Sequence, residues 1–415
     1  MTLFTPLTLP NGTVIPNRIA KAAMEENMAT AEQTPSAKLI ELYRRWADGG
    51  SGLLISGNVM VDGHAMTGPG GVVLQDSSPL EPFRQWARAG QSGGGQFWLQ
   101  INHPGRQMPA ALQQPSWAPS QVPVELGKLS KHFSQPREMP ENMIQEVIRR
   151  FVRTAQLAEQ AGFNGVQIHA AHGYLISQFL SPLTNKRSDR WGGSLANRAR
   201  LLLEIVSAIR AAVSTDFTLA VKLNSADFQR GGFSQDDARQ VVALLNQQQV
   251  ELVELSGGSY EAPAMHGRSR DDRSLAREAY FLEFAADISE LAEMPLMVTG
   301  GIRRLPVAQQ VVESGIAMAG IATALAIDPQ LPNHWHQGRA SAPQLAPIHW
   351  NNKPLASLAY MAMVKYQLNR HSKQRPAKPQ VSPLWALLGY QLENALLSRR
   401  YRRRMARLAN QPPQL

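Results

Sequence analysis

The chain has 415 residues, 43% apolar and 18% charged, a composition that buries a large core and excludes a disordered chain. It has no cysteine, which excludes disulfides, thiolate-bound zinc, cysteine-held iron–sulfur clusters and a thiol nucleophile; no metal site is read elsewhere in it. The net charge is +10, but Arg399, Arg400, Arg402, Arg403, Arg404 and Arg407 carry six of those charges near one end, so the rest is only mildly basic and nucleic acid is not the expected partner.

The opening MTLFTPLTLPNG lacks a basic segment and is broken by Pro6 and Pro10, so it is not read as a secretory signal. Asn11 and Gly12 between short β-prone runs signal a hairpin. Residues 17–24 then read as a first strand, and strands and helices alternate from there. Helices are predicted over 35–48, 79–91, 143–161, 194–213, 235–248, 278–293 and 305–314. They alternate with strands over 52–57, 96–103, 163–169, 217–225, 251–257, 295–301 and 317–323. Eight strands each followed by a crossover predict a parallel (β/α)8 TIM barrel of class α/β, with its site at the C-terminal strand ends.

Two segments exceed a minimal barrel. The loop over 104–140, rich in proline and glutamine, is too long for a bare connection and is expected to cover the mouth. The barrel with its hairpin is assigned to 1–335, and a linker with a basic helical extension to 336–415. Helices are predicted there over 355–369 and 384–408. The apolar front of the second, LWALLGYQLENALL, is expected to pack on the barrel or a neighbouring subunit, and its arginines to form a solvated, partly disordered end; a helix lying on an anionic membrane or binding nucleic acid is the alternative. The longest apolar run, over 315–327, is too short to span a bilayer, and a cytoplasmic location is expected. Monomer and homo-oligomer both stay open.

The segment over 162–194, GFNGVQIHAAHGYLISQFLSPLTNKRSDRWGGS, carries the densest chemistry. Val166, Ile168 and Ala170 alternate with Gly165, Gln167 and His169 as in a half-buried strand. His169, His172 and Tyr174 cluster where that strand ends, and Gly173 permits a tight turn. Neutral imidazoles offer ring N–H donors for an anionic or carbonyl oxygen, and a phenol can deliver a proton; the bland alternative is a pair of buried histidines bonded to backbone. Ser194 reads as the N-cap of the next helix.

The tail SPLTNKRSDRWGGSLANRARLLLEI, with FWLQINHPGR and MVTGGIRR, resembles the Old Yellow Enzyme family of FMN-dependent oxidoreductases, a likeness extending over roughly residues 3–330. The resemblance implies FMN over the barrel mouth. Ala22, Ala23, Met24 and Gly57 would line its ring and Gln100 would meet its pyrimidine edge. Lys222 would stand beside N1 and O2, unless it serves a structural ion pair with Glu254 or Asp227. Gly300 and Gly301 would form the first phosphate turn. Ala322 and Thr323 stand where relatives carry Gly-Arg, a departure that Arg303 or Arg304 would have to make good. Glu25 stands where some relatives have cysteine or threonine, either facing the flavin or turned away. The implied reaction takes hydride from NADH or NADPH and passes it from flavin N5 to an activated C=C bond of an unsaturated carbonyl or nitro compound, with His169 and His172 holding the substrate oxygen and Tyr174 protonating the α-carbon. No GxGxxG segment suggests a separate nucleotide domain. The competing readings are a degenerate barrel with weak or no flavin that binds a partner or ligand through its C-terminal extension, and a flavin dehydrogenase or demethylase of another substrate.

Overall fold

The structure, a computed structural model, describes residues 2–262 and 281–410. Strands β1 (Leu7–Thr8) and β2 (Val14–Ile15) form the predicted antiparallel hairpin, turning through Gly12 at φ +83°. The chain then runs β3 (Ile19–Lys21), α1 (Ala37–Ala47), β4 (Leu53–Ile55), two short strands β5 (Val59–Met60) and β6 (Val72–Val73), α2 (Glu81–Gln91) and β7 (Gln96–Asn102). The long loop contributes β8 (Ser116–Ala118) and β9 (Pro136–Glu138), which pair in parallel. Next come α3 (Glu141–Gln160), β10 (Gly165–Ala170), α4 (Leu175–Leu180), α5 (Leu195–Arg210), β11 (Thr218–Asn224), α6 (Gln235–Asn246) and β12 (Leu252–Ser256). The barrel ends with α7 (Leu282–Ser289), β13 (Leu296–Thr299), α8 (Leu305–Glu313) and β14 (Met318–Ile321). Helices α9 (Thr323–Ile327), α10 (Leu331–His336), α11 (Lys353–His371) and α12 (Pro383–Ala409) follow. The start of the helix predicted over 278–293 lies outside the described residues.

The strands β10-β11-β12-β13-β14-β3-β4-β7 pair in parallel in that order, and β7 pairs with β10, so the sheet closes into the expected eight-stranded barrel. Local chemistry fixes the elements as read. Ser194 Oγ accepts from the Asn197 N–H at 3.3 Å at the start of α5, and Ser234 forms a reciprocal capping box with Asp237 at α6.

One expectation about strand burial is corrected. Every residue of β10 is buried, not alternate ones. In a closed parallel barrel the outer face meets helices and the inner face meets the opposing strands, so neither reaches water. The inner face is itself stratified. Leu53, Ile55, Trp98, Ala220, Leu252, Met297 and Met318 form an apolar floor, closed from below by Leu7, Leu9 and Ile15 of the hairpin region. Two residues further along β7, β11, β12 and β13 the inner face turns polar, at Gln100, Lys222, Glu254 and Thr299.

The C-terminal helix also departs from expectation. Arg399, Arg403 and Arg407 are exposed as expected, but one face of its basic half docks. Arg400 Nη2 donates to the carbonyls of Ala29 (2.8 Å) and Thr30 (3.1 Å), Tyr401 donates to the Gly63 carbonyl (3.0 Å), and Arg404 Nε donates to Gln33 Oε1 (3.1 Å). Helix α12 stays regular through Ala409. In the front half Ala386 and Leu387 are buried against α11, but Leu384, Trp385, Leu388, Leu392 and Leu396 face outward. The reversal has a physical cause: the guanidinium groups find backbone carbonyls to bond, while Tyr401 and Met405 supply the apolar contact between them.

Candidate active site

Above the apolar floor lies a belt of four polar side chains. Gln100 Nε2 on β7 donates to Gln167 Oε1 on β10 (2.7 Å), and Gln167 Nε2 donates to Glu254 Oε2 on β12 (2.8 Å). Lys222 Nζ on β11 donates to Glu254 Oε1 (2.7 Å), and both charged side chains are almost wholly buried. The ion pair weighed from sequence is therefore present, with Glu254 and not Asp227 as its partner.

His169 occupies the next inward position on β10, level with Lys222 in the register. Its Nδ1 accepts from the Ala171 N–H (3.3 Å), which leaves the ring proton on Nε2 as a donor. Burial, reinforced by the Lys222 charge, holds its pKa well below the usual histidine value, so the ring is neutral. After Ala170 the chain turns through two successive left-handed residues, His172 at φ +61° and Gly173 at φ +73°. Sequence pointed to the glycine alone. His172 tolerates the conformation because its N–H donates to Asn224 Oδ1 (3.0 Å), its carbonyl accepts from Gln107 Nε2 (3.0 Å), and its Nε2 lies 2.8 Å from Ser256 Oγ.

This turn gathers three rings: the His169 centroid lies 5.0 Å from that of His172 and 4.8 Å from that of Tyr174. The Tyr174 hydroxyl stands 2.9 Å from the Tyr260 hydroxyl. Burial first, then Tyr260 and Glu25, raise its pKa well above the ordinary phenol value, so it carries its proton. The loop over 104–140 reaches this cluster, through Gln107 at His172, Phe133 against the Tyr260 ring at 5.9 Å, and Arg106 paired with Glu261.

The other sequence candidates ring the opposite side of the mouth. Ala22, Ala23 and Met24 follow β3, where the Ala22 N–H donates to the Ile321 carbonyl (2.9 Å). Gly57 follows β4; its N–H donates to the Tyr43 hydroxyl (2.9 Å), and a Cβ there would meet Glu26 Oε2 at 2.1 Å and the Met24 carbonyl at 2.2 Å. Gly300 and Gly301 leave β13, with Gly301 at φ +70°, and Ala322 and Thr323 join β14 to α9. Strand β14 stands four places round the ring from β10, so these turns lie across the mouth from the histidines. On the inner face, at the C-terminal ends of β7 and β13, the Asn102 carboxamide and Thr299 Oγ1 are buried without a partner in the protein. Buried polar atoms without partners are uncommon, and these two suit a mouth that receives a polar group.

Glu25 is engaged by side chains that the sequence did not connect with it. Its Oε2 lies 3.1 Å from Lys365 Nζ of α11, and its Oε1 accepts from Thr67 Oγ1 (2.6 Å). Burial pushes its carboxyl up, but Lys365 and the hydrogen bonds from Thr67 and Asn27 outweigh that and hold it below the usual range. Gln167 could have been found by stepping two residues from His169 along the strand. Tyr260 and Lys365 carried no local signal. Among the described residues no three His, Asp or Glu side chains gather as metal ligands, and no helix is long and apolar enough to cross a membrane.

A closed parallel barrel with an apolar floor, a polar belt and titratable groups at the C-terminal strand ends is the build of a barrel enzyme. Residues 2–342 match the NADH:flavin oxidoreductase / NADH oxidase family, and the chain belongs to that family, the Old Yellow Enzyme family of flavin-dependent oxidoreductases. It is 39% identical over 352 residues to the NADH-dependent flavin oxidoreductase iliE of Neonectria sp. (strain DH2), covering 79% of this chain and 46% of that one. A 2-naphthoyl-CoA reductase in complex with 2-naphthoyl-CoA matches with TM-score 0.74 and 28% identity over 81% of this chain and 52% of that one. The chain thus spans about half the length of these two relatives. An Old Yellow Enzyme homologue from Zymomonas mobilis shares the fold at TM-score 0.71 and 23% identity, over 83% of this chain and 95% of that one.

Proposed function

We propose that the protein is an FMN-dependent NAD(P)H oxidoreductase of the cytoplasm that reduces activated C=C bonds of α,β-unsaturated carbonyl or nitro compounds. The observation that carries this reading is the three-ring cluster of His169, His172 and Tyr174 at the strand ends, two imidazoles beside a protonated phenol. Bound FMN would accept hydride from NADH or NADPH and return it to the substrate's β-carbon. Gln100 and Lys222 would hold its pyrimidine end and Ala22, Ala23, Met24 and Gly57 would flank its ring. Gly300, Gly301, Ala322 and Thr323 would receive its phosphate by backbone N–H groups in place of the missing arginine. The partnerless polar atoms of Asn102 and Thr299 support a polar occupant there.

His169 and His172 then hold the substrate oxygen. A neutral His169 donates through Nε2–H without losing the proton, which draws electron density from the β-carbon. Tyr174 gives its phenolic proton to the α-carbon. Lys222 would offer its ammonium N–H to the ring while Glu254 balances its charge.

The test is the absorbance spectrum of the purified protein with FMN added, followed by titration with a simple phenol. Retained flavin with a long-wavelength charge-transfer band is expected. A protein that holds no flavin is instead a barrel that has lost its cofactor, and the reductase reading falls.

A further inference from the structure

We propose that the C-terminal extension completes the active-site mouth, with Lys365 of α11 acting as the counter-ion that prevents Glu25 from opposing negative charge formed on the substrate oxygen and on Tyr174. Lys365 is then a positioning residue, acting on the proton donor from outside the barrel. The inference rests on the reductase reading and deepens it.

Lys365 lies beyond residue 342, where the match to the family ends, so the barrel alone does not supply this group. Its ammonium sits 3.1 Å from Glu25 Oε2, with side-chain exposures of 15% and 27%, and 4.9 Å from the centre of the Tyr390 ring of α12. From Glu25 polar side chains lead toward the proton donor. Thr67 Oγ1 donates to Glu25 Oε1 (2.6 Å) and stands 3.4 Å from Asn58 Oδ1, and the Tyr174 hydroxyl meets that of Tyr260 at 2.9 Å. The segments that carry Glu25 and Thr67 are themselves gripped by the extension, through Arg400 at Ala29 and Thr30 and Tyr401 at Gly63.

The electrostatics follow. When Tyr174 protonates the α-carbon its O–H bond breaks, a C–H bond forms, and the electron pair stays on the phenolate until water returns a proton. A carboxylate whose charge is felt at Tyr174 raises the cost of that charge, and of any enolate or phenolate held by the histidines. An ammonium within salt-bridge distance turns the carboxylate into a near-neutral pair. Glu25 in a flavin mouth is unexpected alone; with Lys365 beside it the local charge is that of an uncharged residue.

The experiment uses full-length, FMN-loaded wild type, K365M, E25Q and the K365M/E25Q double variant, with 4-nitrophenol as the probe because its absorbance reports the ionised form. K365M is expected to bind the phenolate about tenfold more weakly, the effect of one uncompensated charge nearby. The double variant, which lacks both charges, is expected to return to wild-type affinity. Single-turnover reduction of an enone should follow the same pattern: slowed in K365M, restored in the double variant. Unchanged binding in K365M overturns the inference. So does a double variant as weak as K365M, since loss of packing by the extension is not rescued by removing a charge. If K365M does not fold, E25Q decides: its unpaired Lys365 should tighten phenolate binding several-fold, and unchanged binding again overturns the proposal. A wild type that holds neither flavin nor phenol removes the reductase reading, and this inference with it.

Discussion

Replacing Lys222 by methionine separates the two jobs its position suggests. In the native barrel Lys222 Nζ lies 2.7 Å from Glu254 Oε1, and the side chains are 4% and 0% exposed. Methionine fills much of the same volume but leaves Glu254 with the single hydrogen bond from Gln167 at 2.8 Å. Stranding one member of a buried ion pair costs about 3–5 kcal/mol. A chain of 415 residues unfolding as one unit has an unfolding entropy of about 0.9 kcal/mol per kelvin, so its melting temperature should fall by about 3–6 °C. Lys222→Met with Glu254→Gln removes both charges and keeps a carboxamide for Gln167, so the melting temperature should recover. The flavin midpoint potential, measured by dye equilibration, should stay below the wild-type value in both variants, because neither has the cation that favours negative charge on the ring. If the double variant recovers potential as well as stability, Lys222 is a structural ion pair and nothing more. If the single variant melts like the wild type, the pair contributes no net charge stabilisation and the reasoning fails at its first step.

Tyr174→Phe should leave flavin reduction by NADH unchanged while slowing alkene reduction by about 10²–10⁴-fold, as loss of a positioned acid does; stopped-flow traces that slow equally in both half-reactions would remove Tyr174 as proton donor. Burial holds His103 down at about 4, and His169 and His371 also below the ordinary value. Below pH ~6.5 the unfolded chain therefore binds protons that the native state refuses, and stability should fall with decreasing pH, by up to ~1.4 kcal/mol per pH unit for each histidine. Urea midpoints that stay level between pH 6.5 and about 4 would contradict this. Gly57→Ala should fold poorly or lose flavin, because its Cβ would stand 2.1 Å from Glu26 Oε2 and 2.2 Å from the Met24 carbonyl; a variant with wild-type melting and flavin content would show that the segment yields freely.

The strands were legible because a barrel strand is a short apolar run flanked by helix-period segments, and that signal is local. The hairpin and the Ser194 cap were legible for the same reason. Strands of two residues, such as β5 and β6, and the six-residue α4 are too short to repeat a period, so no pattern announces them. The histidine cluster could be placed, but not the left-handed backbone at His172, which depends on Asn224 more than fifty residues away. Glu25 and Lys365 are 340 positions apart, and only the folded extension joins them. The arginine run misled in a more instructive way. Taken as bare charge it reads as a solvated end; taken at helical spacing, Arg400, Tyr401, Arg404 and Met405 form one face, with two apolar groups between two multidentate donors, which is a docking surface for backbone carbonyls.

Period two governs what each strand delivers to the mouth. Trp98, Gln100 and Asn102 step upward from floor to belt to rim; Ala220, Lys222 and Asn224 do the same, as do Leu252, Glu254 and Ser256. Because the step is two residues, a slip of one would bring the outward-facing Ile168 or Val221 into the belt and push Gln167 or Lys222 against the helices, a change no single-residue adjustment could absorb. The belt's polarity is thus bound to strand register, which the floor fixes by packing. Rigid placement suits groups that must meet a reacting atom within a fraction of an ångström. The loop over 104–140, the Tyr260 turn and the C-terminal helices are under no such register constraint, although they too reach the mouth through Gln107, Phe133, Tyr260 and Lys365. These segments can therefore change without disturbing the strand-borne histidine pair, and under the proposed function that division would place Lys365 among the residues that adjust the site and Lys222 among those that define it.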